Sequence, residues 1–198
     1  MSSETVVGHA TSSAGRSGTF VFVVGPSGAG KDTVLTYARD RLASDDRFAF
    51  VRRVVTRPAG HWENHDSLSD AEFSEKHASG GFALSWSAHG LRYGVPADYV
   101  RGVRDGRIVV CNGSRAAISD ALAVIEPMKI VLVTASREVR YSRLKTRGRE
   151  ERLDERLDRL AHGDVESMAD VVIDNVGDPA VSGEKLLAFL NSLAAAKG

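Results

Sequence analysis

The sequence predicts an α/β fold in which a parallel sheet is wrapped by helices, and three observations carry that expectation. Phe20-Val21-Phe22-Val23-Val24 is a continuous apolar, β-prone run of the kind a strand buried on both faces requires. It leads at once into Gly25-Pro26-Ser27-Gly28-Ala29-Gly30-Lys31-Asp32-Thr33, after which Val34, Leu35, Ala38 and Leu42 recur at helical spacing. Strand and helix patterns alternate again through the second half of the chain, the order that builds parallel pairing.

The glycine-rich stretch fits the phosphate-binding pattern G-x-x-x-x-G-K, and its strand and helix flanks are those the pattern needs. Gly25, Gly28 and Gly30 let the backbone approach a polyphosphate, with the positive end of the following helix beneath it. Lys31 then reaches the β- and γ-phosphates as a mobile point charge. A nucleotide triphosphate site across Gly25 to Thr33 follows. Where the pattern normally carries a Ser or Thr hydroxyl for Mg²⁺, this chain has Asp32. A carboxylate is also a hard oxygen ligand, so Asp32 is the candidate metal ligand, directly or through water.

The chain has 198 residues, enough for one α/β domain and short for two, and no linker composition divides it. Lys plus Arg and Asp plus Glu balance at 26 each, which removes a global electrostatic argument for nucleic acid or a membrane surface. The single cysteine, Cys111, lies in the apolar run Ile108-Val109-Val110-Cys111 and reads as a buried small hydrophobe in a reducing compartment. Residues 1–18 are rich in Ser, Thr and Gly and read as a disordered tail ahead of one domain at 19–198, in a soluble cytoplasmic protein. A homo-oligomer is left open.

Beyond the first helix, Phe48 to Val55 reads as one strand ending at Thr56-Arg57-Pro58, where proline stops regular structure. A polar loop follows, and Ser69-Asp70-Ala71-Glu72 spells a capping box opening a helix to about His77. Phe82, Leu84 and Trp86 alternate with Ser85 and Ser87, and His89-Gly90 turns into a short strand at Leu91–Gly94. This middle region, about 58–96, reads as a small antiparallel insertion. Pro96 to Arg104 is a helix, Arg107 to Cys111 a strand reaching Asn112-Gly113-Ser114-Arg115, Ala116 to Ile125 a helix, and Lys129 to Thr134 a strand. Ser136 starts a helix to Arg147-Gly148, an arginine-rich stretch continues to Arg159, and Val171-Val172-Ile173 precedes a helix opened by Asp178-Pro179. Ligands of such sheets sit beyond the carboxyl ends of the strands, where the phosphate loop, Arg57, Asn112 to Arg115 and the start of the late helix converge.

From about Phe20 to its end the chain resembles the guanylate-kinase-like branch of the nucleoside monophosphate kinases. The phosphate loop, Thr56-Arg57-Pro58, Ser69 to Phe73, Tyr93-Gly94 and Arg143-Leu144 with Arg147-Gly148 stand in that family's order. The resemblance implies a P-loop kinase with an inserted acceptor-binding region and an arginine-rich lid, about 147–156, that transfers the γ-phosphoryl group of MgATP to an acceptor phosphate. Within that branch the chain is more similar to the ribose 1,5-bisphosphate phosphokinase family, on Gly30-Lys31-Asp32, Arg53 with Thr56-Arg57, Glu63-Asn64-His65, Ala83-Leu84-Ser85-Trp86, Asn112-Gly113-Ser114-Arg115 and Arg147-Gly148-Arg149-Glu150. That resemblance implies ATP and Mg²⁺ as cofactors, a phosphorylated sugar as partner, and a place in phosphonate degradation or PRPP supply.

The same resemblance assigns roles residue by residue. Lys31, Arg143, Arg147 and Arg156 are the candidate catalytic groups, the arginines neutralising the transferring phosphoryl. Arg53, Arg57, His65, Ser85, Tyr93, Asn112 and Arg115 are the candidate acceptor-binding groups. Guanylate kinases read guanine with a Glu where this chain has Ser85 and an Asp where it has Asn112, so the pocket has exchanged base-reading groups for phosphate-reading arginines. An ordinary guanylate kinase and a non-catalytic binding module are the alternatives; the intact Gly30-Lys31 and lid arginines weigh against the module. His61, His65 and His89 lack partners at metal-ligand spacing, so no zinc site is expected.

Overall fold

β1 (Thr19–Val24) is buried along its whole length and forms the middle of a five-stranded parallel sheet in the order β2, β7, β1, β8, β9. The computed structural model describes residues 18–58, 65–88, 90–146 and 163–196. The other strands of this sheet are β2 (Phe48–Phe50), β7 (Ile108–Asn112), β8 (Met128–Thr134) and β9 (Val171–Asp174). β1 pairs in parallel with β7 on one side and β8 on the other. The chain's crossovers change direction at β1, and the crevice at its carboxyl end is the topological switch point where such sheets bind ligands.

Alternation along the strands sorts the core into two layers. Phe20, Phe22, Val24, Val109, Cys111, Ile130 and Leu132 face one side. They meet Val103 of α3 (Ala97–Arg104), Ile118 and Ala121 of α4 (Ile118–Val124), and Leu84, Trp86 and Val95 of a second sheet. Val21, Val23, Val110, Val131, Val133 and Ile173 face the other side, covered by Val34, Leu35 and Ala38 of α1 (Lys31–Arg41) and by Leu186, Leu190 and Ala194 of a C-terminal helix at Pro179–Ala195.

The second sheet has the order β4, β3, β6, β5, made from β3 (Arg53–Val55), β4 (His65–Ser67), β5 (Phe82–Ala88) and β6 (Leu91–Pro96). Its outer face carries α2 (Asp70–Ala78), whose capping box is present: Ser69 accepts from the Glu72 amide and Glu72 accepts from the Ser69 amide. Arg92 donates to Ser74 Oγ at 2.7 Å and lies over the Phe73 ring at 4.3 Å, fastening α2 to the sheet.

Three expectations about this region are corrected. The run Phe48 to Val55 is two strands in two sheets: Val51 still donates to the Val110 carbonyl at 2.8 Å, but the next amide, Arg52, is taken by the Tyr99 hydroxyl at 3.0 Å. A side-chain acceptor there ends the ladder and lets the chain cross over. The polar loop contains β4, which pairs with β3 in parallel, so the sheet is mixed rather than antiparallel. Finally, a bulge between Phe82 and Leu84 removes Phe82 from the face of Leu84 and Trp86. Its ring lies against Phe73 at 4.6 Å and over Gly94, where an added Cβ would meet it at 2.5 Å.

The remaining helices are α5 (Arg137–Thr146), which follows β8, α6 (Gly163–Met168), and α7, the C-terminal helix at Pro179–Ala195, capped by Asp178. Gly18, expected at the end of the tail, donates its amide to the Val103 carbonyl at 2.6 Å and so belongs to the folded domain. The rest of the expected tail and the lid at 147–156 lie outside the described residues. No helix among the described residues is long and apolar enough to cross a membrane.

Candidate active site

The phosphate loop occupies the switch point, between the end of β1 and the start of α1. Gly25 has φ 152°, and a Cβ there would lie 2.0 Å from the Val133 carbonyl oxygen, so the loop leaves the sheet through a space only glycine fits. Gly30, with φ 88°, is the left-handed residue from which α1 starts. Ala29 is wholly buried and anchors the loop in the core, while Ser27, Gly28 and Gly30 are half-buried. The Lys31 Nζ donates to the Gly25 carbonyl at 2.8 Å and the Pro26 carbonyl at 3.3 Å, which holds its charge inside the arch of the loop. Asp32 and Thr33 are exposed on the first turn of α1.

Residues at the ends of neighbouring strands converge on this loop. Asn112, the last residue of β7, donates Nδ2 to Asp32 Oδ1 at 2.6 Å, joining two groups that the sequence placed in separate sites. Arg115 opens a short 3₁₀ turn (Arg115–Ala117) after β7 and is half-buried, with its pKa drawn down by burial and then by the charge of Arg140. Arg140, on α5, is only 4% exposed, and its pKa is also lowered by burial and by Arg137. Its backbone packs against Gly28, where an added Cβ would sit 2.9 Å from the Arg140 carbonyl oxygen. Arg143 donates to the outer carbonyls of the loop, at 3.3 Å to Ala29 and 3.5 Å to Gly28, and to the Asn175 carbonyl at 3.0 Å.

On the second sheet, β6 lies between β3 and β5, so its Tyr93 is approached from both sides. Trp86 of β5 stacks on it with ring centroids 5.4 Å apart and planes at 6°, and Arg53 of β3 lies over it at 5.5 Å. Trp86 in turn meets Phe22 edge-on at 6.2 Å, tying this ladder to the central sheet. Arg53 is near enough to Cys111 to oppose its shift, but burial dominates and pushes the thiol up to about 12, so Cys111 is a protonated core residue.

The expected site residues therefore divide. Gly25 to Thr33, Asn112, Arg115 and Arg143 gather at the switch point, and Arg53 and Tyr93 gather on the inner face of the second sheet. Ser85 pairs with Gly94 and points to the opposite face from Trp86 and Tyr93. His65 is 4% exposed beside Arg53 in the β3/β4 pair, a strand residue packed into the sheet. Arg57, next after Thr56 at the end of β3, is half-buried. Arg147 and Arg156 lie outside the described residues. Sequence reasoning missed Arg140 and Asn175; each follows closely on the carboxyl end of a strand, β8 and β9, and that position is the signal that marks them.

No family profile matches the chain. Its fold matches the crystal structure of guanylate kinase from Anaplasma phagocytophilum with a TM-score of 0.69, over 90% of this chain and 87% of that one, at 17% identity. Fold and phosphate loop together define a P-loop protein of guanylate-kinase-like fold. The chain is 44% identical to ribose 1,5-bisphosphate phosphokinase PhnN of Brucella melitensis over 181 residues, 89% of this chain and 94% of that protein. It is 47% identical to the PhnN protein of Acidiphilium cryptum, covering 88% and 93% of the two chains. The chain belongs to the ribose 1,5-bisphosphate phosphokinase PhnN family.

Proposed function

We propose that this protein transfers the γ-phosphoryl group of ATP to ribose 1,5-bisphosphate, forming 5-phospho-α-D-ribose 1-diphosphate and ADP. The observation that carries the reading is the state of the base-reading positions. Asn112 is hydrogen-bonded to Asp32, Ser85 faces away from the aromatic ladder, and Tyr93 has an indole on one side and a guanidinium on the other. Neither Ser85 nor Asn112 is a carboxylate able to accept two donors from a guanine edge. Arg53, Arg57 and Arg115 supply instead the forked donors that an acceptor with two phosphates calls for.

An oxygen of the acceptor phosphate attacks the γ-phosphorus, the bond from that phosphorus to the β,γ-bridging oxygen breaks, and ADP leaves. The second pKa of such a phosphate is about 6, so the attacking oxygen is already anionic at neutral pH and no general base is required. The residues have to bring two anions together and screen them. Lys31 and the loop amides bind the β- and γ-phosphates, while arginines hold the acceptor and spread the charge of the transferring group. In this reading Arg147 and Arg156 serve the lid.

Asp32 fits a role toward Mg²⁺. It is exposed at the mouth of the loop, and the Asn112 bond to Oδ1 fixes the carboxylate while Oδ2 remains as a hard oxygen donor. Asp32 would hold Mg²⁺ there, and the ion would supply charge neutralisation for the phosphates. Asp32→Ala is expected to raise the Mg²⁺ concentration needed for half-maximal rate about tenfold and to weaken Mn²⁺ binding to the protein–ADP complex, read by electron paramagnetic resonance. Unchanged values in both would take Asp32 out of the cation site.

A substrate panel with MgATP tests the acceptor. Turnover of ribose 1,5-bisphosphate is expected to exceed that of GMP by about 10³-fold or more in kcat/KM, because a site without the matching polar groups forfeits the base edge. Efficient GMP phosphorylation without use of the bisphosphate overturns the proposal.

A further inference from the structure

Two residues outside the glycine-rich loop grip its outer face. Asn175, the residue after β9, is 1% exposed and donates Nδ2 to the Ala29 carbonyl at 2.7 Å. Its own place is set by its amide, which donates to the Thr134 carbonyl at 2.7 Å. Arg143 adds donations to Ala29, Gly28 and the Asn175 carbonyl at 3.3, 3.5 and 3.0 Å. The contact with Gly30 is close as well: a Cβ there would lie 2.2 Å from Asn175 Nδ2 and 3.3 Å from Arg143 Nη1.

The direction of these bonds matters for the opposite side of the loop. In a planar trans peptide the C=O and the following N–H point opposite ways. Pinning the Ala29 carbonyl outward therefore turns the Gly30 N–H inward, toward the space that the phosphates occupy. A glycine-rich backbone has the freedom to flip such a plane, and only an external restraint removes it. Asn175 is suited to that restraint because it is a neutral donor that can be buried without the cost of a charge.

We propose that Asn175 is a positioning residue for ATP: with Arg143 it forms a bracket that holds the phosphate loop in its binding conformation before the nucleotide arrives. The inference rests on the ATP-dependent reading above and deepens it. It gives Arg143 a part that the sequence did not suggest, on the outer face of the loop, and it assigns a function to a residue that no motif contains. Preorganisation of this kind lowers the ordering cost that phosphate binding would otherwise carry.

Asn175→Asp keeps size and shape but removes the donor and sets a carboxylate oxygen against the Ala29 carbonyl. The Asn175 Oδ1 is buried with no hydrogen-bond partner among the described residues, so no donor on that side draws the carboxylate away from Ala29, and Arg143 is left to hold that carbonyl at its longer 3.3 Å. The Kd of a fluorescent non-hydrolysable ATP analogue with Mg²⁺ is expected to rise about tenfold, with the affinity for ribose 1,5-bisphosphate within about twofold of the parent. A folded variant whose analogue Kd is unchanged, or one that loses both ligands equally, overturns the bracket.

Should the variant not fold, the parent protein decides the matter by nuclear magnetic resonance. A scalar coupling across the hydrogen bond from Asn175 Nδ2 to the Ala29 carbonyl carbon is expected both without and with the analogue, and its absence from the nucleotide-free protein overturns the proposal. Because the readout is nucleotide binding, a wrong acceptor leaves it untouched; a parent protein that binds no ATP analogue sinks the kinase reading and this inference together.

Discussion

Lys31→Met is expected to lower kcat/KM by about 10³-fold while the protein remains folded. The ammonium group sits in the arch of the loop on two backbone carbonyls, Gly25 and Pro26, with the four-carbon stem half-buried along the loop. Methionine has nearly the same length and covers the same apolar surface, so packing survives and the charge does not. The lost hydrogen bonds to the two carbonyls are expected to cost about 1 kcal/mol of stability, as for ordinary hydrogen bonds. The loss in the transition state is larger because charge moves onto the β,γ-bridging oxygen as the phosphoryl group departs. Steady-state kinetics alongside thermal unfolding separates the two effects. A folded variant with near-parent turnover removes Lys31 from the mechanism.

Phe22→Ala is expected to cost about 3–5 kcal/mol of folding stability, the range for emptying a buried aromatic site. Phe22 is fully buried at the joint of the two sheets: Trp86 meets its ring edge-on at 6.2 Å, Phe20 lies at 6.0 Å, and Gly113 packs so closely that a Cβ there would be 2.3 Å from the ring. Truncation leaves a cavity bounded by both sheets, which cannot collapse without moving one against the other. Gly113 rests on that ring directly after Asn112, so the Asn112–Asp32 bond is expected to loosen with it. Urea unfolding followed by tryptophan fluorescence measures the cost, and a loss below about 1 kcal/mol would show that the two sheets are joined elsewhere.

Much of the fold was legible because its signals are local. The apolar run at Phe20–Val24, the glycine pattern that follows, the helical recurrence of Val34, Leu35 and Ala38, and the capping box at Ser69 each lie within a dozen residues, and each became the element it implied. The failures came where tertiary contacts overrode a continuous pattern. Phe48 to Val55 looks like one strand until the Tyr99 hydroxyl takes the Arg52 amide, and Phe82 keeps step with Leu84 and Trp86 until a bulge turns it.

The sequence by itself determined the chemistry on offer: a glycine loop with a lysine for polyphosphate, a carboxylate where a hydroxyl is usual, neutral Ser85 and Asn112 where the resemblance places base-reading acids, and the arginines Arg53, Arg57 and Arg115. Those are properties of residue type and short spacing, and they survive without coordinates. Only the tertiary structure decided how the groups are paired. Asn112 meets Asp32 across 80 residues of chain, and Asn175 meets Ala29 across 146. Such partners are chosen by strand order, because a parallel sheet brings the carboxyl ends of β1, β7, β8 and β9 to one edge whatever their separation in sequence. That is why the phosphate loop could be read from its own residues, and the hydrogen bonds that hold its outer face could not.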